Sequence, residues 1–324
     1  MLMLKRFSIL ADPMIAVLLL ATLLAIVLPA VGEARGMGQL ISNIAIFLLF
    51  LVNGMRIARG EIAKGLANWR FFVPLFAWVF GAMPLIGLGL SSAASNFLPP
   101  LVALGFLFLG ALPSTIQSAT SYTSLAGGNV ALSVVGAALI NIAGVFITAP
   151  LFALLAGSEA ADIGTETIVR IGVILILPFM IGQAVQGWTI DWLKERKSDV
   201  AWLDRIVIGI AVYVAFSGAV EQGLGQMFTL LGWAALIGLI IVYLIAASGG
   251  AWLTGGLLHV SREDRIAFLF AGAQKSVAIG APLAAILFAP DVAGFVIAPL
   301  LLYHLLQLII AAPLATILSE RSSS

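Results

Sequence analysis

The sequence predicts an all-α polytopic membrane protein: ten transmembrane helices in two inverted five-helix repeats, with interruptions in spans 4 and 9. Three observations carry that expectation. Of the 324 residues, 62% are hydrophobic and 10% charged, and the mean hydropathy is +1.15; soluble domains do not have this composition. Apolar runs long enough to cross a bilayer recur ten times along the chain. Basic residues then fall thirteen to one on alternate sides of those runs, the bias that orients membrane proteins.

The runs lie at about 13–32, 39–57, 71–90, 101–125, 130–156, 168–188, 206–222, 228–256, 266–289 and 293–318. Lys5 and Arg6 precede the first, as in a signal peptide. The run continues to Val31 without a small-x-small exit, so it reads as a retained helix. Connections are short and leave no room for an inserted soluble domain. The longest, Thr189 to Arg205, sets Trp192 and Trp202 among charges and suits an amphipathic surface turn. With the N-terminus cytoplasmic, one side collects Lys5 and Arg6; Arg56, Arg59, Lys64 and Arg70; Lys194, Arg196, Lys197 and Arg205; Arg262 and Arg265; and Arg321. The other side holds Arg35 alone. Both termini are thereby expected in the cytoplasm, in an inner or plasma membrane. Arg170 and Lys275 are the remaining basic residues; Arg170 is near a helix end and can snorkel.

Span 4 carries the first interruption. Twelve apolar residues, Leu101 to Leu112, rise roughly 18 Å and reach about the middle of a ~30 Å hydrocarbon layer at Pro113. Pro113 has no N–H to donate and its ring crowds the preceding turn. Ser114, Thr115, Gln117, Ser118, Thr120, Ser121, Thr123 and Ser124 follow, eight polar side chains in eleven residues. Backbone groups freed at mid-membrane cannot be satisfied by lipid, so the break must face protein or a wet cavity. A single hydroxyl here is most simply bonded to the i−4 carbonyl; the cluster after a proline reads as a place where a solute or ion is held. Gly127-Gly128-Asn129 reads as a turn with Asn129 capping the fifth helix, and Ser133, one turn on, can point back to the break.

Span 9 repeats the feature at AGAQKSVAIGAP, residues 271–282. Lys275 lies ten residues, roughly 15 Å, after Arg265 and again falls mid-bilayer. A lysine there costs about 3 kcal/mol on insertion scales and needs a partner. Carbonyls freed by the break, Gln274, Ser276 or an anionic solute can supply one. Lys275 therefore reads as a tie for the broken helix, an anion-binding charge, or a built-in cation in the place of a coupling ion; release of its proton keeps proton coupling open.

Span starts recur at an offset of about 155–165 residues, near 13 and 168, 71 and 228, 101 and 266. Five spans per half set the second half upside down, the plan of many secondary transporters, whose sites lie where interrupted helices meet. Residues 1–128 hold spans 1–4 of the first repeat, with span 5 running to 157, and residues 158–324 hold the second. His304 and Gln307 share a helix face at i, i+3 and read as a packing hydrogen bond; Asn53 and Asn141 read as links between helices.

Several function classes are excluded or disfavoured. There is no cysteine, hence no disulfide or thiolate site. His259 and His304 have no metal-ligand spacing. No phosphate-binding G-x-x-x-x-G-K-[ST] loop is present, and no hydrolase constellation, so the chain is not expected to be an enzyme or to carry a cofactor. A net charge of +1 gives no reason for a nucleic-acid partner. Neither interruption holds Asp or Glu, which argues against a crossed-helix cation/proton antiporter.

The stretch ALPSTIQSATSYTSLAGGNVALSVV followed by AGAQKSVAIGAP resembles the bile acid:sodium symporter superfamily, in its bile-acid-symporter-like branch, over nearly the whole chain. The resemblance implies two crossing broken helices in a core domain, a panel domain that moves against it, and amphipathic or organic anions as substrates, often moved with sodium. It also implies sodium ligands, and these match in part. The Ser-Asn pair of the first sodium site falls on Ala119 and Thr120; the fifth-helix serine matches Ser133, and the next threonine falls on Ala137. The second site's glutamate falls on Phe270, its glutamine on Gln274, and the third-helix glutamine near Val79. Thr120, Ser133 and Gln274 remain as sodium-binding candidates, and Lys275 beside Gln274 fits a cation standing in the second ion's place.

The expected function is alternating-access transport of a small organic anion, in contact with membrane lipid, with Ser118, Thr120, Thr123, Ser133, Gln274, Lys275 and Ser276 lining the site and Pro113, Ser114 and Thr115 forming the first break. A proton-coupled or uncoupled carrier, or a membrane regulator or scaffold that moves nothing, are the alternatives. Nothing in the sequence sets an oligomeric state.

Overall fold

The computed structural model describes residues 13–56, 60, 68–157, 169–226 and 229–320. Among these the chain is helical, without strands. In chain order the helices are α1 (Pro13–Val27), α2 (Glu33–Arg56), α3 (Trp69–Ala94), α4 (Pro100–Ala111), α5 (Ile116–Leu125), α6 (Val130–Ala156), α7 (Val169–Glu195), α8 (Lys197–Glu221), α9 (Leu230–Leu257), α10 (Arg262–Ala273), α11 (Val277–Leu287) and α12 (Pro290–Glu320). Among the described residues, eight helical spans are long and apolar enough to cross a membrane, or nine with the bent pair α4–α5. α1 is shorter, at fifteen residues. Lys5, Arg6, Arg59, Lys64 and Arg321, which entered the charge count, lie outside the described residues.

Two helices contain a π turn, Trp78–Ala82 in α3 and Gly172–Ile176 in α7. Each ends two residues before a proline, Pro84 and Pro178. Proline cannot donate and its ring crowds the turn before it; a widened turn just upstream makes room. The stretch expected to be a surface turn, 189–205, is instead helix on both sides of Arg196 (φ −111°, ψ 32°). Trp192 and Trp202 are exposed there, with Arg196 and Arg205 lying 4.6 and 5.1 Å from the respective ring centroids.

By packing, the chain forms two units that interleave in sequence. The first comprises residues 1–58, 161–229 and 278–297. Within it α2 meets α7 at Gly54 and Gly182: a Cβ on Gly182 would stand 2.9 Å from Gly54 Cα and from the Met55 nitrogen. Gln183 donates to the Gly54 carbonyl at 2.7 Å, and Arg56 pairs with Asp204 at 2.8 Å. Arg35, the lone basic residue assigned to its side of the membrane, pairs with Glu221. Gln39 donates to the Ala285 carbonyl near the end of α11.

The second unit comprises residues 59–160, 230–277 and 298–324. Here α3 and α4 touch backbone to backbone through Gly87 and Gly110. An apolar cluster joins α3, α6 and α10, with Phe71 edge-on to Phe268 at 5.6 Å. Asn129 caps α6 by accepting from the Leu132 N–H, as expected from the sequence, and its amide donates to Asp264 in the first turn of α10 at 2.8 Å.

Candidate functional site

Both breaks lie in the second unit, and they meet. The helices α4 and α5 diverge by 64°, and α10 ends at Gln274. The backbone leaves each helix in the same way: Leu112 at φ −72°, ψ 148°, and Gln274 at φ −71°, ψ 145°. The sequences around them agree too. FLFLGALPS, residues 106–114, aligns with FLFAGAQKS, residues 268–276, at six of nine positions, and Pro113 falls opposite Lys275.

A helix that stops at mid-membrane leaves its last carbonyls without donors. At the end of α4 those carbonyls are met by Lys275. Its ammonium donates to the Gly110 carbonyl at 2.8 Å and the Leu112 carbonyl at 2.6 Å, and the residue has no exposed surface. The neighbouring Ser276 N–H donates to the Pro113 carbonyl at 3.1 Å. The lysine of one break thus closes the helix end of the other. The sequence left three roles open for Lys275; the geometry is that of a tie made by a cation among carbonyl oxygens, and no anion-facing surface remains on the ammonium.

The second break is held from α12. Gln307 accepts from the Lys275 N–H at 2.8 Å and donates to the Lys275 carbonyl at 3.0 Å, and Tyr303 donates to the Ala273 carbonyl at 2.8 Å. Asn141 of α6 secures the first break, donating at 2.7 Å to the Ser114 and Ala137 carbonyls. Tyr122 on α5 reaches the Leu308 carbonyl. Replacing Asn141 with leucine strips the buried Ser114 carbonyl of this donor and is expected to cost about 1–3 kcal/mol; a lowered thermal midpoint of the purified protein checks it.

Of the residues expected to line the site, the structure joins some. Ser118 donates to the Gln274 side chain at 3.0 Å, and Thr123 to Ser133 at 3.1 Å. Ser114 and Thr120 have buried hydroxyls with no hydrogen-bond partner. Thr115 sits at the start of α5 without capping it by its side chain. Gln117, Ser121 and Ser124, spaced i, i+4, i+7, form the exposed face of α5, whereas the hydroxyls singled out from the sequence turn inward. Val79, Ala119 and Phe270, which stand where the resemblance places sodium ligands, belong to one buried apolar cluster. Oxygen ligands suit hard cations, and this cluster offers none from those side chains.

The model of the SBF-like CPA transporter family matches residues 12–320. An uncharacterised protein of Pseudomonas aeruginosa is 38% identical over 96% of this chain and 94% of its own length. The putative symporter YfeH of Escherichia coli is 33% identical over 96% of this chain and 93% of its own. The mouse sodium/bile acid cotransporter 7 is 23% identical over 85% and 82%.

Proposed function

Because the chain belongs to the SBF-like CPA transporter family, we propose that it is a secondary transporter that carries an organic anion across the membrane by alternating access, with Lys275 in the place of a coupling cation. The observation that carries this reading is the buried ammonium of one break donating to two carbonyls of the other. A scaffold has no use for two mid-membrane breaks, whose free backbone groups must be satisfied at a cost.

The matched segments 106–114 and 268–276, with their equivalent backbone exits, support two inverted five-helix repeats, residues 1–128 with span 5 to 157 and residues 158–324. The thirteen-to-one charge bias supports cytoplasmic termini. The exposed stripe Gln117, Ser121 and Ser124 begins at the N-terminus of α5, whose first-turn N–H groups favour negative charge; this is the face offered to the solute. Ser118, Thr123, Ser133, Gln274 and Ser276 shape the wall behind it. The loss of polar side chains at Val79, Ala119 and Phe270 supports transport without sodium.

Uptake by purified protein in liposomes tests the reading, with a bile acid as first probe because the mouse relative's name includes one. Accumulation of the anion at equal rates in sodium and potassium is the expected result. A protein that moves no organic anion offered, and whose melting shifts with none of them, is not this carrier. A sodium-specific rise in stability, about 2.7 kcal/mol at a hundredfold excess over Kd, would return sodium to the cycle as a co-substrate.

A further inference from the structure

The Gln307 amide is held at three points, and two of them fix which end is which. A main-chain N–H only donates and a carbonyl only accepts. The Lys275 N–H therefore identifies Oε1, 2.8 Å away, and the Lys275 carbonyl identifies Nε2, 3.0 Å away. That removes the usual ambiguity of an amide flip. Nε2 also lies 2.8 Å from Nδ1 of His304, and it has one hydrogen left to give. Nδ1 must accept it, so the imidazole is neutral with its own proton on Nε2.

A proton added to Nδ1 would set N–H against N–H. Turning the amide to receive it would set Nε2 against the Lys275 N–H and Oε1 against the Lys275 carbonyl. The charged ring must therefore give up its bond to Gln307 or turn the amide, and turning it breaks both bonds that hold Lys275, the residue that closes the end of α4. Histidine is the side chain whose ordinary charge change falls near neutral pH. His304 is 8% exposed; beside Gln307 and Gln274 lies a cavity with room for about one water.

The other ionisable groups in this region are engaged. The Lys275 ammonium is on the α4 carbonyls; Tyr303 donates to Ala273, Tyr243 of α9 to Met83, and Tyr122 of α5 to Leu308. Carboxylates on α10 and α12 stand only at their ends, Glu263, Asp264, Asp291 and Glu320; α3–α6 and α9 have none.

We infer that His304 is the proton-binding site of this carrier, and that the Gln307 amide passes its protonation to the break holding Lys275. The inference rests on the transport reading for its role, naming the proton as the coupling ion, but its chemistry is testable without a solute. The protein has two histidines, and His259 is an exposed residue at φ +52°, a conformation asparagine tolerates.

In a His259→Asn background, nitrogen-15 NMR of labelled histidine reads His304 alone. The expected result is the Nε2–H tautomer at high pH and a single protonation at Nδ1 on acidification. The melting temperature should fall on acidification towards that protonation and level off once His304 is charged. In His304→Asn, Oδ1 can accept from Gln307 at every pH, so the step in melting should vanish; His304→Gln serves if that variant does not fold. An Nδ1–H tautomer, or the same melting step in a variant lacking His304, overturns the proposal. So does solute uptake driven by a pH gradient that survives His304→Asn unchanged. Liposomes that move nothing, with tautomer and melting step as expected, uphold the proton site and defeat only the carrier reading.

Discussion

Replacing Lys275 with alanine abolishes transport and leaves the protein folded: this is the result we expect. Two opposing energies decide the second half of it. Removing the ammonium bares the buried carbonyls of Gly110 and Leu112, at about 1–3 kcal/mol each. It also removes a charge whose placement at mid-membrane costs about 3 kcal/mol or more, so the net change is small beside a stability of about 5–15 kcal/mol. Function has no such offset. The break loses the side-chain link that meets the carbonyls at the end of α4, together with the positive charge that stands among them. Lys275→Arg should fail as well, because a planar guanidinium has no room where lysine has no exposed surface. Proteoliposome uptake measured beside thermal unfolding checks both halves. Wild-type uptake by the alanine variant would remove Lys275 from the mechanism.

A valine at Gly110 is the second large effect, and here the fold itself suffers. A Cβ at this position would stand 2.8 Å from the Met83 carbonyl, 2.8 Å from the Tyr243 hydroxyl and 3.0 Å from Pro84 Cα. Two of the three are backbone atoms and cannot swing aside. Tyr243 is pinned by its own bond to Met83 at 2.7 Å. Overpacking of this kind costs about 1–3 kcal/mol or more, and it displaces the carbonyl that Lys275 uses. Loss of both thermal stability and uptake is expected. A variant melting with the wild type would mean that α3 and α4 are not in backbone contact at Gly87 and Gly110.

The breaks were legible because proline and lysine are conspicuous in apolar runs; rise per residue alone put Pro113 and Lys275 at the same depth. Partners were not legible. That Lys275 would bond Gly110 and Leu112, 165 and 163 residues away, depends on how two helix ends are brought together, and a sequence does not state that. Span spacing suggests an offset between the two halves, and the match of FLFLGALPS with FLFAGAQKS, which lies in the residues themselves, is the stronger sign of kinship between the two breaks. Polar residues at single places in apolar helices, Asn141 and Gln307, read correctly as links, but what they link is the break backbone. The phase of α5 was not legible: Thr123 turns inward and donates to Ser133 on α6, and Gln117, Ser121 and Ser124 take the exposed side. Hydroxyl count carries no phase, and α5 has too few apolar residues to supply one.

The bond between Lys275 and Gly110 also sets an order of events at the ribosome. The end of α4 is made 165 residues before the lysine that satisfies it. At about 5–20 residues per second, that is a wait of roughly eight to thirty seconds. Throughout it the carbonyls of Gly110 and Leu112 have no ammonium to meet them, in a solvent that offers no replacement. A chain terminated anywhere before α10 would keep that exposed half-helix permanently, a mark by which quality-control proteases can distinguish it from a finished molecule.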